Sequence, residues 1–184
     1  MNRIILVYGS ITGATIIGSM MLGIYAANSG SNSFLASEAI GYSIMLIGFS
    51  MIFIATKKYR DEELGGVIKF STAFKIGLGI SLIAGVVYVI TWEVNLYLTD
   101  YAFISEYTNS IIDKARNAGV SESELKATIE RMEEMKVQYD NPLYRLPITF
   151  TEIFPIGLFM ALISSAIFRN PNILPAKTHE DITS

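Results

Sequence analysis

Residues 76 to 98 read IGLGISLIAGVVYVITWEVNLYL, an apolar run broken by a single acidic or basic side chain, Glu93. About 20 mostly apolar residues in a helix cross a hydrocarbon layer of about 30 Å. Three further stretches meet this length: Ile4 to Ala27, Ala39 to Thr56 and Ile148 to Phe168. The second is the shortest and calls for an interfacial turn at one end. Without water in the hydrocarbon, each backbone polar group must bond within its own segment, so the spans are helices. The expected fold is all-α: an integral membrane bundle of four transmembrane helices, with an extramembrane helical hairpin between the third and the fourth.

Composition agrees with this reading. Of 184 residues, 51% are hydrophobic, and they come in blocks instead of at core spacing. The absence of cysteine excludes disulfides and thiolate metal sites. No basic stripe is interleaved with aromatics, so nucleic acid is not an expected partner. Arg3 before an apolar run that ends near Ala26-Ala27 has the outline of a signal peptide. The run is about twice the 7–15 residues of such a segment, and it is read as a retained span. The lipid bilayer is therefore the first partner.

Charge sets the orientation. Asn28 to Ser37 holds no Lys or Arg, whereas Lys57 to Lys75 holds Lys57, Lys58, Arg60, Lys69 and Lys75. Short basic connections stay in the cytoplasm, and long segments cross with little regard to charge. Both termini and the Lys57–Lys75 connection are expected inside, with Asn28–Ser37 and Thr99–Leu146 outside.

The long outer segment patterns as two helical arms. Tyr97, Tyr101, Ile104, Thr108, Ile111, Ala115 and Ala118 recur at steps of four and three on one helical face. That face continues from the third span, which predicts one unbroken helix. Asn117-Ala118-Gly119 supplies a stop, glycine being suited to the left-handed terminal position. Ser121 with Glu124 has capping-box spacing, and Leu125, Ile129, Met132, Met135 and Tyr139 line the second arm. Asn141-Pro142 ends that arm and Pro147 opens the fourth span. Residues 1–170 thus form one membrane domain with the hairpin at about 99–146, and residues 171–184 a disordered tail. The tail carries the lone His179, with no expected metal role.

An ordered set of short motifs then carries a resemblance. It comprises Glu38-x-x-Gly41-Tyr42, Tyr59-Arg60-Asp61, Gly65-Gly66-x-Ile68-x-Phe70-x-x-Ala73-Phe74-Lys75 and Tyr88-x-x-x-Trp92-Glu93. Asn141-Pro142, Phe150-x-Glu152-x-x-Pro155-x-Gly157 and Leu162-Ile163-Ser164 complete it. Over nearly its whole length the chain resembles the bacterial four-span proteins of domain-of-unknown-function family 4199. The resemblance implies a four-helix protein of the bacterial inner membrane, and no activity or catalytic residue.

Ionisable groups inside spans are costly and are candidates for function by default. Glu93 lies near the outer end of span three and Glu152 near the outer start of span four. In antiparallel helices at about 1.5 Å per residue, the two reach similar depth. Glu38, at the outer end of span two, lies near the same level. Trp92 and Asn95 flank Glu93, and Thr151 flanks Glu152. Pro155 leaves the Thr151 carbonyl without its usual donor. Carboxylates from three helices could hold a proton or a hard cation; the competing expectation is that the glutamates are hydrated or bonded to polar neighbours. Small residues four apart (Gly9 and Gly13; Ser10, Ala14 and Gly18; Gly77, Ser81 and Gly85) let helices approach closely. They are assigned to packing within the chain, with homo-oligomer formation as the other use.

No nucleophile–base pair or metalloprotease motif is present, and no cofactor is expected. The sequence therefore reads as a non-enzymatic multi-pass membrane protein that binds a protein partner at its outer hairpin. The alternative is a small ion-coupled transporter or channel-like protein using Glu93 and Glu152.

Overall fold

The structure is a computed structural model that describes the backbone over residues 1–28 and 38–176 and side chains over 1–23 and 39–176. The expected loop Asn28–Ser37 beyond its first residue, the side chain of Glu38, and His179 lie outside these residues. Seven helices account for the regular structure among the described residues: α1 (Asn2–Asn28), α2 (Glu38–Phe49), α3 (Met51–Glu63), α4 (Phe70–Leu98), α5 (Ala102–Asn117), α6 (Glu122–Asp140) and α7 (Pro142–Phe168). Four stretches are long and apolar enough to cross a membrane: Asn2–Gly23, Ala39–Glu63, Phe70–Leu98 and Pro142–Phe168. The protein is all-α and multi-pass.

The second span departs from expectation. It is longer than Ala39–Thr56, and its interruption falls mid-span at Ser50, where the hydroxyl donates to the Ile47 carbonyl at 2.6 Å. Helix α3 continues to Glu63, so the basic connection is largely helical. It closes on Gly65 and Gly66, at φ of 64° and 91°, with the Gly66 amide donating to the Arg60 carbonyl at 2.9 Å. Glycine takes such angles without the steric cost a Cβ would bring.

The chain divides into two compact units, Met1–Tyr88 with Glu152–Ser184, and Val89–Thr151. In the first, Phe49, Ile52, Ile76, Ile80, Ile153 and Ala161 are buried together, while Ile47, Val86 and Phe159 are exposed. Apolar side chains outside and hydroxyls inside (Thr12, Ser81, Ser165) suit a bundle solvated by lipid. Gly9, Gly13 and Gly77 serve close approach within the chain, whereas Ser10, Ala14 and Gly18 lie on an exposed ridge of α1. A Cβ on Gly77 would lie 2.6 Å from the Ala161 Cβ, and one on Gly9 2.9 Å from the Ile83 Cβ, so α4 packs on α7 and α1 at near-backbone distance.

In the second unit the expected continuity of span three into the hairpin does not hold. Helix α4 stops at Leu98, the Tyr101 amide bonding back to the Leu96 carbonyl at 2.8 Å and the Asp100 amide to that of Tyr97 at 3.4 Å. This paired closure is a Schellman motif, made with Asp100 and Tyr101 at φ of 49° and 56°. Side-chain periodicity runs straight through such a stop. The rest of the hairpin follows the sequence: Gly119 has φ 68°, and Ser121 and Glu124 form both bonds of a capping box. Ile104, Thr108 and Met132 are buried within the hairpin.

The helix that carries the fourth span, α7, begins at Pro142, not near Pro147. Asn141 both ends α6 and caps α7, its side-chain oxygen accepting from the Leu143 amide at 3.0 Å. Proline at the first helical position loses no helix hydrogen bond and has its φ preset. Pro147 and Pro155 are both carried inside α7.

Candidate functional site

The earlier start of α7 brings onto it a residue that the sequence reading left in the hairpin. Arg145 is three residues into the helix and almost fully buried, at 4% exposure. Its Nε donates to Glu93 Oε1 and its Nη2 to Glu93 Oε2, both at 2.7 Å. Nη1 donates to the Tyr139 carbonyl at 2.9 Å. This fork on a carboxylate is the strongest class of side-chain hydrogen bond. One guanidinium thereby ties α4, the end of α6 and the start of α7.

Aromatic rings enclose the pair. The Arg145 guanidinium lies 5.2 Å from the Tyr101 ring centre and 5.8 Å from that of Tyr139, within reach of cation–π attraction. Tyr101 occupies this position through the left-handed turn that ends α4. The Trp92 indole donates to the Tyr139 hydroxyl at 2.7 Å, and its ring meets Phe103 edge-on at 4.8 Å. Exposed Tyr97, Leu98 and Leu143 sit at the adjoining helix ends, as interfacial anchors do.

Glu152 belongs to the other unit. Its carboxylate accepts a hydrogen bond from the buried Tyr88 hydroxyl at 3.2 Å. Each of the two candidate glutamates therefore has its own described partner. Asn95 is half-buried, and its carbonyl accepts from the Thr99 hydroxyl at 2.9 Å. The Thr151 hydroxyl turns back to the Ile148 carbonyl at 2.8 Å. Among the described residues, no group of three His, Asp or Glu side chains is placed to hold a metal ion.

A second buried arginine entered the sequence reading as a topogenic charge and as part of the Tyr59-Arg60-Asp61 motif, without a partner assigned to it. Arg60 is fully buried. Its Nε donates to Asp61 at 2.6 Å, its Nη1 to the Ile173 carbonyl at 2.9 Å and its Nη2 to the Leu174 carbonyl, and the guanidinium lies 5.2 Å from the Phe168 ring centre. Residues 171–176, expected as part of a disordered tail, include the carbonyls that this cation needs. Residues 177–184 lie outside the described range.

The family model for a protein of unknown function, DUF4199, matches residues 7–170, from the first span to the end of the fourth. The chain belongs to DUF4199. No curated protein and no solved structure matches it. The DUF4199 match spans the Glu93–Arg145 pair, the hairpin and Arg60, while the Ile173 and Leu174 carbonyls that Arg60 reaches lie past its end.

Proposed function

We propose that this DUF4199 chain is a non-enzymatic membrane protein that holds a rigid helical hairpin at the outer face of a bacterial cytoplasmic membrane, as a platform for a protein partner. Both termini are then cytoplasmic, in keeping with the basic residues at and after α3. The observation that carries this reading is the Glu93–Arg145 pair with its bond to the Tyr139 carbonyl. Connections between packed helices commonly take about 2–8 residues. The segment between α4 and α7 instead forms two capped arms with a buried seam, rooted by a charged clamp in aromatic packing. Rigid display lowers the ordering cost of binding. The ion-carrier alternative has less support, because Glu93 commits both oxygens to Arg145.

Photo-crosslinking in intact membranes tests the proposal. A photoreactive residue at exposed Val137 or Tyr107 should give one discrete adduct with a protein, and one at exposed Leu6 on α1 should not. Absence of a protein adduct at both hairpin positions, with cation flux in reconstituted vesicles abolished by Glu152→Gln, would replace the platform with the carrier.

A further inference from the structure

A cleft of about 280 Å³ opens where the start of α1 meets the end of α3. Arg3 and Lys58 contribute cations, Glu62 and Glu63 carboxylates, and Ile4 and Val7 apolar surface. Its volume is close to the lower end of the roughly 300–1,000 Å³ of small-molecule sites. Lys58 and Glu62 pair loosely along α3, at 4.0 Å, while Arg3 and Glu63 form no ion pair among the described residues. Opposite charges loosely paired or unpaired in one cleft are the complement of a zwitterion, with room for an anion on the cations and an ammonium on the acids.

The cleft also lies at the ends of two membrane-spanning helices. Val7 is about half exposed, and Leu6 and Ile11 continue an exposed apolar face along α1. A ligand seated among the charges can thus lay hydrocarbon along the helix. We propose that this cleft binds a phospholipid whose headgroup carries a phosphate and a primary ammonium, as phosphoethanolamine does. The phosphate sits against Arg3 and Lys58, the ammonium donates to Glu62 and Glu63, and an acyl chain follows α1. A choline headgroup has no N–H to donate to the acids. A phosphoglycerol headgroup brings no cation to them.

The test is native mass spectrometry of the full chain, released from detergent after mixing with equal amounts of phosphatidylethanolamine, phosphatidylcholine and phosphatidylglycerol of identical chains. Phosphatidylethanolamine should be retained about tenfold over each of the others, the ratio that about 1.4 kcal/mol gives. Glu63→Gln should abolish the preference over phosphatidylcholine, and Arg3→Gln should lower retention of all three. Both side chains are exposed, so an unchanged melting temperature in detergent verifies that the variants fold. Glu130→Gln, on α6, should leave the preference intact. Equal retention of the ethanolamine and choline lipids overturns the proposal, as does stronger retention of the glycerol lipid. A competing effect from soluble phosphoethanolamine as strong as that of the lipid would overturn the lipid assignment.

Discussion

Glu93 and Arg145 face each other across a double hydrogen bond, 2.7 Å on each arm, although they lie 52 positions apart in the chain. Arg145 is almost fully buried, whereas Glu93 keeps a quarter of its side-chain surface exposed. Breaking a buried ion pair from one side typically costs about 3–5 kcal/mol, because the remaining charge is stranded. The partial exposure of Glu93 places Glu93→Leu at the low end of that range. Arg145→Leu leaves a carboxylate that water can reach and should cost less. The double variant should cost clearly less than the sum of the singles. Thermal unfolding in detergent measures the cycle; strictly additive losses would mean the two groups are not energetically coupled.

Arg60 should control the segment after α7. Arg60→Lys retains the charge but loses the planar fork that reaches two carbonyls, so it should behave nearly as badly as Arg60→Leu. Amide exchange over residues 170–176 and cleavage there by an added protease should both accelerate in either variant. A lysine variant as protected as the parent would assign the contact to charge alone.

Gly77→Val should destabilise the bundle by about 1–3 kcal/mol, the usual cost of overpacking a filled core. The added Cβ alone would lie 2.9 Å from the Ala161 Cα, and backbone cannot swing aside. Gly18→Ala, with nothing within 4 Å of the new Cβ, is the control and should be neutral or slightly stabilising through helix propensity. Melting temperatures of the two variants in one detergent decide this, and equal shifts would contradict the packing.

Orientation is open to direct labelling. A cysteine at Ser123, in the first turn of α6, should react with a membrane-impermeant maleimide in intact cells. One at Glu63, at the end of α3, should react only after the membrane is permeabilised. The sequence has no cysteine, so label on the purified chain reports the introduced residue. Reaction at Glu63 alone would invert the topology.

Much of the architecture could be read from residue order because its determinants are local. Apolar run length marks the spans, and Ser121 with Glu124 marks the second arm by a contact between neighbours. The stop at Asp100 escaped because a Schellman closure usually advertises itself with glycine, and here Asp100 and Tyr101 adopt the left-handed angles without it. Asn141-Pro142 was read as an ending when it is equally a beginning: Asn is an N-cap and Pro a first-turn residue. That misreading left Arg145 outside the helix and hid the partner of Glu93. Arg60 was invisible for another reason. Its acceptors are main-chain carbonyls 113 and 114 positions away, which no side-chain pattern records.

That sequence distance also sets a schedule for biosynthesis. Ribosomes add about 5–20 residues per second, so on the order of ten seconds separate the emergence of Arg60 from that of Ile173 and Leu174. During this interval the first three spans can enter the bilayer while one guanidinium still lacks the carbonyls that compensate for its burial. Water or lipid phosphate at the membrane surface must serve it in the meantime. The end of α3 can thus reach its final packing only after α7 and the residues that follow it have been made, which ties the burial of Arg60 to completion of the fourth membrane helix.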